Sequence, residues 1–120
     1  MDITDIRQIL KACADDTRLR ILNILFDKEP TVKQISSSLN VSQSTISKHL
    51  SRLRLIGLVV DRRRGNFVHY TLNKNVDQHL FDIINFILSR LSDTEPFKKD
   101  IENVKTTMER QSKEVVNKGE

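Results

Sequence analysis

The densest polar chemistry lies in Ser42-Gln43-Ser44-Thr45-Ile46-Ser47-Lys48-His49-Leu50-Ser51-Arg52-Leu53, which combines short hydroxyls, an amide, an imidazole and two cations. At helical spacing Ile46, Leu50 and Leu53 fall at i, i+4 and i+7 and make one narrow apolar stripe. Ser44, Thr45, Lys48, Ser51 and Arg52 point away from it. Ser42 is placed to cap the first turn, and Gly57 to stop the helix. Small uncharged donors and acceptors on a first turn can enter a major groove and meet base edges, while cations one and two turns later reach phosphates. The expected groove contacts are Gln43, Ser44, Thr45, Lys48 and His49, with Ser44 and Thr45 deepest. Ser42, Arg52, Arg62, Arg63 and Arg64 are expected on phosphate or in the minor groove. His49 sits on the helix flank, where a packed histidine bonded to a neighbouring segment is the other reading.

Other chemistry is sparse. His49, His69 and His79 fall on three different elements, and no acid–base pair or nucleophile motif accompanies them. Three glycines leave no room for a Gly-rich phosphate loop. No enzyme activity and no cofactor are expected. Cys13 stands alone, so no internal disulfide can form, which suits a reducing cytoplasm. Its place on an apolar helix side predicts a buried, inert thiol. The acidic N-terminus has no signal-peptide pattern, and no run of 18 apolar residues suggests a membrane span. A cytoplasmic location is expected.

Charge narrows the partner. The chain carries a net +4, but residues 31–73 hold Lys33, Lys48, Arg52, Arg54, Arg62, Arg63 and Arg64 against Asp61 alone, a local +6. Such a patch is the footprint of a polyanion binder, and double-stranded DNA is the expected partner. A protein–protein module of the same architecture is the competing reading, but it needs no such patch.

The elements that position these residues follow from periodicity. Ile3, Ile6, Ile9, Leu10 and Cys13 predict a first helix, and Leu19, Leu22, Leu25 and Phe26 a second over about 16–27. Thr31-x-x-Gln34 is a capping box opening a short third helix. Asn40-Val41 then turns into the polar helix, making a helix-turn-helix. Residues 58–64 and 67–72 read as strands around the turn pair Gly65-Asn66, a hairpin in the position of a wing. Residues 75–92 predict a long helix that is apolar nearly all round and therefore needs a second chain. The expected dimer surface comprises Ile3, Ile6 and Leu10 with Ile83, Ile84, Ile87 and Leu91. Phe97, Ile101, Val104, Met108 and Val115 predict a last helix, packed on the dimer or frayed, with a disordered end at 117–120. The expected fold is mainly α with a small β-hairpin: a winged helix-turn-helix over 1–95, about five core helices, and a helical extension over 96–120.

Three stretches resemble one family. Leu10-Lys11-Ala12-Cys13-Ala14-Asp15-Asp16-Thr17-Arg18-Leu19-Arg20-Ile21-Leu22, Val41 to Val59, and Arg62 to Leu72 are similar in order to the opening signature, recognition helix and wing of ArsR/SmtB winged-helix repressors. The resemblance implies a homodimeric prokaryotic repressor that releases its operator on sensing a metal ion or another stress signal, and two-fold symmetry of the protein makes that operator an inverted repeat. It also implies where metal would bind, and there the chain departs. The family's Cys-x-Cys positions hold Thr31 and Lys33. Asp77-x-His79 matches half of a second site, whose other half falls on Arg90 and Asp93, and Arg90 is a poor ligand. Asp77 and His79 are read as surface residues, no metal is expected, and the inducer stays unknown.

Overall fold

The computed structural model describes residues 1–118, with side chains as far as Ser112. In chain order the elements are α1 (Ile3–Cys13), α2 (Asp16–Leu25), α3 (Val32–Leu39), α4 (Gln43–Leu55), β1 (Val59–Arg64), β2 (Phe67–Leu72), α5 (Gln78–Leu91) and α6 (Phe97–Lys118).

Local chemistry sets most boundaries. Asp2, Asp15, Thr31, Ser42 and Asp77 each accept from a backbone N–H of the helix they precede, a contact whose removal costs about 1 kcal/mol. The Thr31/Gln34 capping box forms as expected. α5 begins at Gln78 rather than near 75, because Asp77 is extended and folds its carboxylate onto the N–H groups of His79 and Leu80. α2 ends at Leu25, two residues before its expected limit. α4 closes in a Schellman motif. Leu58 donates to the Leu53 carbonyl at 3.0 Å, Gly57 donates to that of Arg54 at 3.0 Å, and Gly57 sits at φ +84°.

The hairpin pairs Val59 with Leu72 through to Arg64 with Phe67. Gly65 takes φ +62° and Asn66 does not share the positive φ, the type II′ arrangement that suits strand twist. The loop before α3 joins this sheet: Tyr70 donates to the Pro30 carbonyl at 2.9 Å, and Thr31 bridges to His69. The wing is thus tied by backbone to the start of the helix-turn-helix.

α2 is the hub. Its run Ile21-Leu22-Asn23-Ile24-Leu25 is buried all round. It shares one core with Ile9 and Ala12 of α1, Ile35 and Leu39 of α3, the α4 stripe, Leu58, Val59 and Leu72 of the hairpin, Ile84 and Leu88 of α5, and Val104 of α6. α6 does not leave the domain: it folds back across α2 and α3, burying Phe97 and Val104. Arg20 and Asp100 meet in a two-pronged pair at 2.8 Å and 2.8 Å, with Asp100 buried. Asn103 donates to the Ser38 carbonyl, and Gln34 to Gln111 Oε1 at 2.7 Å. Asn117 and Lys118, expected in a disordered end, complete α6. The Val115 side chain and residues 119–120 lie outside the described residues.

Candidate DNA-binding surface

The stripe Ile46, Leu50 and Leu53 is sunk in the core, which fixes the rotation of α4. Gln43, Ser44, Ser47, Lys48, Ser51 and Arg52 consequently face solvent, with Thr45 half-buried. The first turn is ordered by hydroxyls. Ser42 Oγ accepts from the Thr45 backbone N–H at 3.3 Å, donates to Thr45 Oγ1 at 2.9 Å, and lies 3.3 Å from Ser44 Oγ. Ser42 spends its one hydrogen on Thr45, so Thr45 keeps its own for an outside acceptor. Among the described residues, no side-chain bond engages Gln43, Lys48 or Arg52.

His49 takes the second of its two expected roles, bonded to a neighbouring segment rather than free for the groove. It is half-buried, with Nδ1 3.2 Å from Arg18 Nη1. An arginine only donates, so His49 Nδ1 accepts and its hydrogen sits on Nε2. The flank position turns Nδ1 of the ring toward Arg18 of α2. Arg18 also donates to the carbonyls of Ala12 at 2.7 Å and Lys11 at 3.4 Å, and lies 4.0 Å from Asp15. It thereby ties the end of α1, the cap of α2 and α4 together. No motif around Arg18 announces this role. Its signal was a cation in the first turn of a helix, where the dipole disfavours one.

Two further groups meet this junction. The Arg18 backbone N–H holds the Asp15 carboxyl below its ordinary range, against partial desolvation and with help from the Arg18 charge. Desolvation pushes the Cys13 thiol up, with Arg18 opposing, so Cys13 stays a neutral packing residue at neutral pH.

The three wing arginines divide by strand alternation. Arg62 and Arg64 share a face and both approach Glu29, at 3.9 Å and 2.6 Å. Arg63 lies on the other face, with Nε 3.4 Å from the Gly65 carbonyl. All three are exposed. Glu29 was not singled out in the sequence. His69 anchors the same loop: its Nδ1–H donates to the Glu29 carbonyl at 2.7 Å.

Of the expected dimer surface, Ile3, Ile6, Leu10, Ile83 and Ile87 are exposed and Leu91 is half-buried. Ile84 is a correction: it is 4% exposed, packed inside its own chain. Phe86, 66% exposed, joins the outward face instead. Asp77 caps α5, while His79, Arg90 and Asp93 are exposed. Thr31 is buried and Lys33 exposed.

Comparison with known proteins agrees with this geometry. Residues 15–60 match the model of the arsR family of bacterial regulatory proteins. The transcriptional repressor SdpR of Bacillus subtilis is 37% identical over 81 residues, 68% of this chain and 87% of that one. The transcriptional activator HlyU of Vibrio cholerae is 40% identical over 77 residues, 64% of this chain and 71% of its own. A solved structure of that HlyU superposes with a TM-score of 0.66 at 38% identity, covering 78% of this chain and 100% of the other. A homodimeric winged helix-turn-helix DNA-binding domain from Mycobacterium bovis gives 0.63 at 26%, covering 78% and 87%. With this fold, this polar helix and these relatives, the chain belongs to the ArsR family of winged-helix transcriptional regulators.

Proposed function

We propose that the chain is a homodimeric repressor that reads an inverted-repeat operator through α4 and the hairpin β1–β2. The observation that carries this reading is the first turn of α4, whose ordered hydroxyls face solvent with Lys48 and Arg52 behind them, both exposed and without a side-chain partner among the described residues. Thr45 and Ser44 offer hydrogen bonds to base edges, and Gln43 offers both a donor and an acceptor. Ser42, Lys48, Arg52 and the wing arginines neutralise or bond phosphates, which sets register without reading sequence. The exposed apolar residues of α1 and α5 join two copies, and two-fold symmetry then requires two half-sites, with major grooves about 10 bp apart. The named repressor SdpR and the homodimeric Mycobacterium bovis domain support this sense and assembly. A chain that acts on the chromosome works in the cytoplasm; no helix of the described residues is long and apolar enough to cross a membrane.

The test is selection of bound sequences from random DNA, followed by titration and in vitro transcription. An inverted repeat should emerge, with affinity falling steeply as salt rises. Arg62, Arg63 and Arg64 changed together to Ala should weaken all DNA alike, whereas Ser44→Ala with Thr45→Ala should erase the operator preference. Equal affinity for operator and random DNA overturns the reading, and a rise in transcription from an operator-bearing promoter overturns its repressor sense.

A further inference from the structure

Between the start of α3, strand β2 and α6 the fold leaves an open cavity of about 750 Å³. Val32, Phe67, Val68 and Met108 give it apolar walls from all three elements, and the Tyr70 ring adds to them. The Gln34–Gln111 hydrogen bond, 2.7 Å, joins two of those walls. Neither the α4 face nor the α1/α5 face shares these residues. The volume is that of a pocket for a small organic molecule, and the mostly apolar lining with a few placed polar groups is the usual make-up of one.

Charge selects the ligand class. The described lining contains Lys33 and His69 but no Asp or Glu. Lys33 is exposed and, among the described residues, has no carboxylate partner. An ammonium beside apolar walls complements a molecule with an apolar body and one anionic group. The walls adjoin, without including, the residues that touch DNA in the proposed function. Thr31 and Gln34 belong to the first helix of the helix-turn-helix, and β2 is half of the wing. The Tyr70–Pro30 and Thr31–His69 backbone contacts already couple the two. A molecule seated here contacts both at once, and it shifts DNA affinity to the extent that it binds their two arrangements differently.

We infer that this α3–β2–α6 cavity is an effector site for a small organic acid with an apolar body, held by Lys33. The regulatory half of this inference rests on the proposed DNA-binding function; the binding half does not. The chain supplies its own reporters. It has no Trp, Tyr70 is its one tyrosine, and Met108 is one of two methionines, the other being Met1. Tyrosine emission and the Met108 methyl resonance therefore report on the cavity without labels.

The experiment titrates the intact protein, without DNA, with decanoate, decanol and decylamine below their micellar concentrations. Decanoate should move both signals saturably and bind tightest of the three. Lys33→Gln should weaken decanoate about tenfold, the loss of one charge-assisted contact, and leave decanol unchanged. No saturable shift, equal affinity for all three amphiphiles, or an indifferent Lys33→Gln variant each overturns the site. A second arm measures operator affinity with decanoate at saturation, where a change of about threefold or more is expected. Saturable binding with unmoved operator affinity overturns the regulatory half. A Tyr70 response in a protein that binds no operator overturns the DNA-binding function and leaves the site standing.

Discussion

Glu29 is one carboxylate holding two of the three wing cations, Arg62 at 3.9 Å and Arg64 at 2.6 Å. Both pairs are solvent-exposed, so each is worth about 0–1 kcal/mol, less than a well-formed phosphate contact supplies. DNA therefore competes with Glu29 for these side chains. Glu29→Gln should release both arginines, raise operator affinity about three- to tenfold at low salt, and steepen the salt dependence by about one phosphate contact. His69 holds the backbone carbonyl of residue 29, so the loop keeps its anchor. Unchanged affinity and slope would mean that Arg62 and Arg64 never meet phosphate. At this scale the sequence disclosed what neighbours in the chain decide. The Ser42 cap and the Thr31/Gln34 box follow from spacing alone. The Arg18–His49 and Arg64–Glu29 contacts join residues 31 and 35 positions apart; packing creates them and no local pattern encodes them.

α6 shows the same division among elements. Phe97, Ile101, Val104 and Met108 announced a helix, and the helix forms. Its partner was illegible, because an apolar stripe says that something covers it, not what. The covering surface is α2 and α3 of the same chain, and polar contacts fix the register: Asp100 on Arg20, Asn103 on Ser38 and Gln111 on Gln34. Asp100 is the most exacting of these, being 1% exposed and bidentate to a guanidinium that also donates to the Leu39 carbonyl at 3.1 Å. Asp100→Ala leaves that guanidinium without its counter-charge, which costs about 3 kcal/mol, the low end for a broken buried pair because Arg20 keeps some solvent contact. At roughly 3–5 °C per kcal/mol for a domain of this size, the melting temperature should fall by roughly 10 °C. Calorimetry checks this. A loss below about 2 °C would show that α6 is held by its apolar side alone.

For the whole molecule, the decisive surface is the one the single chain leaves uncovered. Ile3, Ile6 and Leu10 on α1, with Ile83, Phe86 and Ile87 on α5, are exposed large apolar side chains. Several large apolar side chains exposed on one helix are the usual material of an interface, and the proposed dimer buries both sets in a self-complementary contact. The sequence revealed that α5 is apolar on two sides but could not phase it. Ile83/Ile87 and Ile84/Leu88 are both i, i+4 pairs, and only tertiary packing decides that the second pair turns inward to the core. The two faces predict different failures. Ile84→Ala should weaken each protomer by about 2–4 kcal/mol through a core cavity and leave the dimer associated at temperatures where it stays folded. Ile87→Glu places a charge where the partner must desolvate it and should separate the subunits while each chain keeps its intramolecular core. Separation removes the coupling between half-sites, so affinity for the full operator should fall toward that for one half-site. Sedimentation and operator titration of the two variants check this together. A dimeric Ile87→Glu protein with unaltered operator affinity would move the interface off α5.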